Sequence, residues 1–170
     1  MSDRKQSNLA LDWAFLFYWL MATTFGWLLG WLLFPTIGVV TAGVGAGIVQ
    51  CFVLYPRIPR AWRWILVTAA GWLAGVLIVI PIVPPGLGLM SGAIIGAATG
   101  FAQWWLLRRQ VHWAGWWIPV SMLAWSTALA IGLAMLPRVV LSGVVASMMT
   151  GPALNLLLQF PKKAEEGEKG

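Results

Sequence analysis

Charge is nearly absent from long stretches of this chain. Between Asp12 and Arg57 lie 44 uncharged residues (13–56), and between Arg63 and Arg108 another 44 (64–107). A helix crosses a bilayer with about 20 apolar residues, so each stretch is too long for one span and right for two joined by a tight turn. Proline supplies the turns, because it removes a backbone donor and disfavours helix in the residue before it. Pro35 breaks the first stretch, and Pro81, Pro84, Pro85 and Gly86 break the second. A third stretch, Trp113 to Phe160, is broken at Pro137-Arg138. The pattern predicts spans at 13–34, 37–55, 61–82, 87–107, 113–136 and 139–160. The predicted fold class is all-α: an integral membrane six-helix bundle, residues 13–160, of three tandem helical hairpins at 13–55, 61–107 and 113–160. Residues 1–12 form an N-terminal segment, and 161–170 a polar tail expected to be disordered.

Inside the spans, small and polar residues recur in register. Gly92, Gly96 and Gly100 repeat every four residues and Gln103 follows three later, so all four share one stripe of a helix. In the odd-numbered spans Trp19, Thr23, Gly26, Trp27 and Gly30 are matched by Trp64, Thr68, Gly71, Trp72 and Gly75, and again by Trp117, Ser121, Ala124, Trp125 and Ala128. In the even-numbered spans Gly43, Gly47, Gln50 and Leu54 match Gly96, Gly100, Gln103 and Leu107, then Ser147, Gly151, Leu154 and Leu158. The third copy has lost its glutamine, and Asn155 lies one residue on. Three copies entering the membrane in the same sense predict a pseudo-threefold axis along the membrane normal.

Composition removes the soluble alternatives. A content of 60% hydrophobic and 9% charged residues excludes an ordinary soluble globule. The net charge of +6 would point to nucleic acid in a soluble protein, but the basic residues here cluster between the apolar spans, where they set topology. Arg4, Lys5, Arg57, Arg60, Arg63, Arg108, Arg109, Lys162, Lys163 and Lys169 fall on one side of the predicted membrane and Arg138 alone on the other, which places both termini in the cytoplasm. The N-terminus lacks the short apolar core and small-residue cleavage site of a signal peptide and is expected to remain as the first anchor. Cys51 is the one cysteine and sits in an apolar run, as a small packed side chain would.

The motif G-x-x-x-G-x-x-Q-W-x-x-L-R-R, carried here by Gly96 to Arg109 and followed by a Trp-rich helix, resembles a group of small multi-pass bacterial membrane proteins without an established activity. The resemblance covers about residues 19–159 and implies a multi-pass bacterial membrane protein; the third unit departs from the pattern at Leu154. Three hairpins also resemble the mitochondrial carriers in topology, but the carriers' P-x-[DE]-x-x-[KR] signature is absent.

Candidate chemistry is sparse. Small-residue stripes let helix backbones approach closely in lipid, which assigns helix packing to Gly26, Gly30, Gly43, Gly47, Gly71, Gly75, Gly92, Gly96, Gly100 and Gly151. A flat cofactor such as a carotenoid, chlorin or quinone in those grooves is left open, although nothing in the spacing requires one. Gln50, Gln103 and Asn155 are candidates for a polar ring on the axis, since an uncompensated amide in hydrocarbon must find a partner or water. Of the 13 tryptophans, Trp62, Trp64, Trp104, Trp105, Trp113, Trp116 and Trp117 are expected in an interfacial belt, while Trp27, Trp31, Trp72 and Trp125 lie deeper. Arg57, Arg60, Arg63, Arg108, Arg109 and His112 read as topology determinants and lipid-headgroup contacts. Asp12 is placed to cap the first helix or meet a cation, and Pro152 to kink the last.

Away from their ends the spans carry no Asp, Glu, Lys, Arg or His, which argues against catalysis, a metal site and ion-coupled transport. The expected function is therefore non-catalytic: an accessory or scaffolding subunit, or a self-associating module, that packs against partner helices, lipid or pigment. The alternative is a passive channel for a small neutral solute lined by Gln50, Gln103 and Asn155. An interfacial lipid-modifying enzyme around His112 and Arg108 ranks last. The expected location is the bacterial plasma membrane, with a photosynthetic internal membrane left open.

Overall fold

A computed structural model describes residues 11–33, 37–132 and 136–162, with side chains left out at 132–139. Six α-helices fill these segments: α1 (Trp13–Leu33), α2 (Gly38–Leu54), α3 (Trp62–Ile82), α4 (Gly88–Leu107), α5 (Trp117–Gly132) and α6 (Leu136–Leu158). Among the described residues there is no strand; one isolated bridge joins Val111 and Pro161. Four stretches are long and apolar enough to cross a membrane: Trp13–Leu33, Trp62–Ile82, Ala114–Ile131 and Val140–Leu158. The chain is a membrane protein by that measure. The helix α2 is apolar but only 17 residues long. The helix α4 has 20 residues, but its glycines, Ser91, Thr99 and Gln103 dilute its apolar character.

Local chemistry sets the helix ends. Asp12 caps α1: its Oδ1 accepts from the Phe15 N–H at 3.0 Å, and its Oδ2 accepts from Arg57 Nη2 at 2.8 Å. One carboxylate thus fulfils both roles the sequence offered it. Pro81 does not stop α3, which runs through it to Ile82; the break comes at Val83, where the chain turns extended ahead of Pro84 and Pro85. Gly86 then takes φ +92°, a conformation that costs glycine nothing. The basic end needs two non-glycine residues in the left-handed region, Arg60 (φ 58°) and Trp113 (φ 62°). There the α4–α5 loop is tied to the segment after α6, by His112 N–H to Phe160 O at 2.8 Å and Lys162 N–H to Gln110 O at 2.9 Å. The helix α6 begins at Leu136, so Pro137 falls in its first turn, where a missing N–H matters least. It also continues through Pro152.

Each helix packs against its two neighbours in the chain, and α6 packs back on α1, so the six close into a ring. The interior holds two apolar cores. One, towards the basic end, is built on Phe15, Trp19, Leu54, Trp64, Leu107, Trp117 and Leu154. The other is built on Trp27, Ala42, Trp72, Ile95, Trp125 and Ala128. The lining of the polar cavity described below draws tryptophans from both cores, which places it between them.

Candidate functional site

The α-helices α1, α3 and α5 each contribute two tryptophans, eight residues apart, to the interior. Trp27, Trp72 and Trp125 form a closed triad with ring centroids 5.3, 4.7 and 5.1 Å apart. In the other core Trp64 stands 6.1 Å from both Trp19 and Trp117. All six are buried. The sequence reading expected Trp64 and Trp117 in an interfacial belt, but the structure buries them completely. The eight-residue spacing carries both tryptophans of a helix to the same face, and the ring turns that face inward. Trp62, Trp105, Trp113 and Trp116 are exposed.

Between the two sets of tryptophans, buried side chains form one hydrogen-bonding scheme twice. Gln50 donates from Nε2 to Thr23 Oγ1 at 2.9 Å and accepts at Oε1 from Trp64 Nε1 at 3.0 Å. Gln103 donates from Nε2 to Thr68 Oγ1 at 2.9 Å and accepts at Oε1 from Trp117 Nε1 at 2.8 Å. Each amide on an even helix therefore fastens the odd helix before it and the odd helix after it. At the seam between α6 and α1 the scheme changes. Leu154 stands where the amide would be, and Trp19 Nε1 donates instead to Thr150 Oγ1 at 3.0 Å, four residues earlier on α6. Thr150 in turn donates to the Ala146 carbonyl at 2.8 Å.

Of the predicted polar ring, Gln50 and Gln103 share the layer and Asn155 does not. Its Oδ1 accepts from the Gln159 amide at 3.1 Å and from the Asp12 backbone N–H at 3.4 Å, near the basic end. One residue along a helix turns a side chain by about 100°, which removes Asn155 from the stripe that Leu154 occupies. Thr150 is the residue that sequence reasoning missed. Its signal was present as the third of Ala46, Thr99 and Thr150, each four residues before the Gln50, Gln103 and Leu154 positions.

The glycine stripes are used within the chain. A Cβ on Gly26 would lie 2.5 Å from the Ala46 backbone, on Gly71 2.7 Å from Thr99 Cα, on Gly75 2.7 Å from Ile95 Cα, and on Gly96 2.5 Å from the Ser121 carbonyl. Gly30 abuts Ala42, Gly92 the Trp125 carbonyl, Gly100 the Ser121 side chain, and Gly47 Thr68. Gly43 lies flat under the Trp72 indole and Gly151 beside that of Trp19. Each of these ten glycines faces a backbone or side chain of the same chain.

Among the described side chains, the basic residues gather at one end. Arg57 pairs with Asp12 and lies 4.6 Å from the Phe15 ring centroid. Arg108 stacks 3.8 Å over Trp105, and its carbonyl accepts from Lys162 Nζ at 2.6 Å. Arg63 lies over Trp62, while Arg60, Arg109 and His112 are exposed. Cys51 is buried. No group of three or more His, Cys, Asp or Glu able to hold a metal occurs among the described residues. Fold and site together define an all-helical membrane protein with a buried polar layer between aromatic cores. No known protein family, curated protein or solved structure matches the chain.

Proposed function

We propose that this chain is a non-catalytic integral membrane protein, an accessory or scaffolding subunit whose rigid core presents an apolar outer surface to partner helices and lipid. In this reading all six helices span a bacterial plasma membrane as three hairpin repeats around a pseudo-threefold axis, with both termini in the cytoplasm. The twice-repeated bonding of Gln50 and Gln103 supports the repeats, and the gathering of Arg57, Arg60, Arg63, Arg108, Arg109 and Lys162 at one end supports the orientation.

The observation that carries the function is the closure of the axis. The mid-bundle amides are bonded to indoles and hydroxyls of the same chain, and tryptophans close them off on both sides. That arrangement ties neighbouring helices together and engages both amides within the chain, which counts against the channel reading. Because the glycines are consumed internally, partner contacts fall to exposed aromatics such as Phe17, Phe25, Phe52 and Phe101. Trp27, Trp72 and Trp125 pack edge-on and tilted against one another, which weighs against a pigment among them.

The test is purification from the native host in mild detergent followed by mass spectrometry and an absorption spectrum. A stoichiometric protein subunit is expected to remain bound, without a chromophore. A monodisperse protein carrying lipid alone would overturn the accessory role.

A further inference from the structure

Two hydroxyls in the polar layer have no protein partner. Thr99 Oγ1 on α4 and Ser121 Oγ on α5 are both buried and unbonded, in side chains only 1% exposed. Both line one small cavity of about 10 Å³, whose walls include Gln50, Gln103, Trp117 and Thr150. An unpaired buried hydroxyl is costly, and in hydrocarbon no outside water relieves it. Thr150 and Thr127 escape this by bonding the carbonyl four residues back, those of Ala146 and Leu123. Thr99 Oγ1 makes no such bond, and Thr99 lines the cavity.

The asymmetry of the chain explains why these groups are left over. Ser121 occupies the position of Thr23 and Thr68, which receive a glutamine amide; its own amide would come from position 154, which is leucine. Thr99 corresponds to Thr150, whose hydroxyl takes the Trp19 indole, but the neighbouring indole Trp117 is already held by Gln103. Replacing one glutamine by Leu154 therefore strands one hydroxyl, and the duplicate threonine strands another.

We propose that this cavity is a binding site for a single water molecule, held by Thr99 Oγ1 and Ser121 Oγ between the tryptophan cores. The volume is at the threshold for one water of about 10–15 Å³ and too small for any larger solute. The walls carry no charge, which selects a neutral molecule that both donates and accepts. The tryptophans on either side make the water long-lived.

The test is a crystal structure of the full chain, grown from lipid at a resolution that shows ordered solvent. One peak is expected within about 2.6–3.2 Å of both oxygens, as hydrogen bonds require. It is expected to be absent in Thr99→Val, which keeps the side-chain shape and removes the hydroxyl, and retained in Thr99→Ser. Oxygen-17 relaxation dispersion of the water signal offers a second readout that needs no crystal: the number of long-lived waters should fall by one in Thr99→Val and stay unchanged in Thr99→Ser. An empty cavity with both hydroxyls turned onto helix carbonyls would overturn the proposal, and so would a peak or a water count unaltered by Thr99→Val.

Discussion

Gln50 and Gln103 each hold two hydrogen bonds in a place where neither lipid nor bulk water can replace them. Gln103→Leu strands the Trp117 indole N–H and the Thr68 hydroxyl together. Single interhelical bonds in membranes average about 0.6 kcal/mol, but orphaning a buried donor costs about 1–3 kcal/mol, so the second effect decides. The expected loss is about 1–3 kcal/mol, read as an earlier midpoint when the detergent-solubilised protein is unfolded with sodium dodecyl sulfate. Leu154→Gln probes the same scheme in reverse. The new amide would meet Ser121 and Trp19, the residues matching Thr23 and Trp64, so this polar substitution in a fully buried position is expected to be tolerated, within about 1 kcal/mol of wild type. Failure of the Leu154→Gln variant to fold would show that the third seam is not equivalent to the other two. Cys51 provides a probe for such measurements. Its thiol is buried, so a maleimide should modify it only as the bundle unfolds.

At the scale of helices, backbone approach governs. The α3–α4 contact depends on Gly71 and Gly75, where an added Cβ meets main-chain atoms of Thr99 and Ile95 that cannot swing aside. Gly71→Ala is therefore expected to force the two helices apart, at about 1–3 kcal/mol by the usual cost of overpacking. Gly115→Ala is the control, because its Cβ would meet nothing within 4 Å. Thermal unfolding of the two variants should separate them by several degrees; equal midpoints would contradict a close α3–α4 contact. The same comparison shows what was legible in the sequence. The four-residue recurrence of glycine marks a face of small residues, and an added Cβ on that face would meet atoms of a neighbouring helix. The partners were not legible, since a stripe specifies a face and not what lies opposite: Gly43 proved to seat an indole ring, and Gly26 a backbone. Helix ends were also only partly legible. Proline disfavours helix in the residue before it, yet α3 runs through Pro81 and ends one residue later at Ile82.

For the whole molecule the proposed topology and the proposed closure of the axis each make a prediction. In a Cys51→Ser background, Gly86→Cys and Lys162→Cys lie at opposite ends of the bundle, so an impermeant thiol reagent added to intact cells should label the first and spare the second. Labelling of both, or the reverse pattern, would refute the assigned orientation. In proteoliposomes the wild-type chain is expected to raise neutral-solute permeability no further than lipid alone. Trp72→Ala removes one member of the tight triad and is the variant with which a leak should first appear, if the triad is what closes the axis.

Sequence alone determined that this is a helical membrane protein, because the length of an apolar run and the spacing of charges follow from bilayer thickness and from the energetic cost of burying ions. It also set which face of each helix is small or polar, since helical periodicity is a local property. Only the tertiary structure decided what those faces meet. The ring closure that brings α6 onto α1 turned Trp64 and Trp117 from belt residues into core, gave Thr150 the indole that no glutamine could take, and left Asn155 outside the layer. A hydrogen bond needs two groups within about 3 Å, and pairs such as Trp19 and Thr150, 131 residues apart, acquire that distance only when the ring closes.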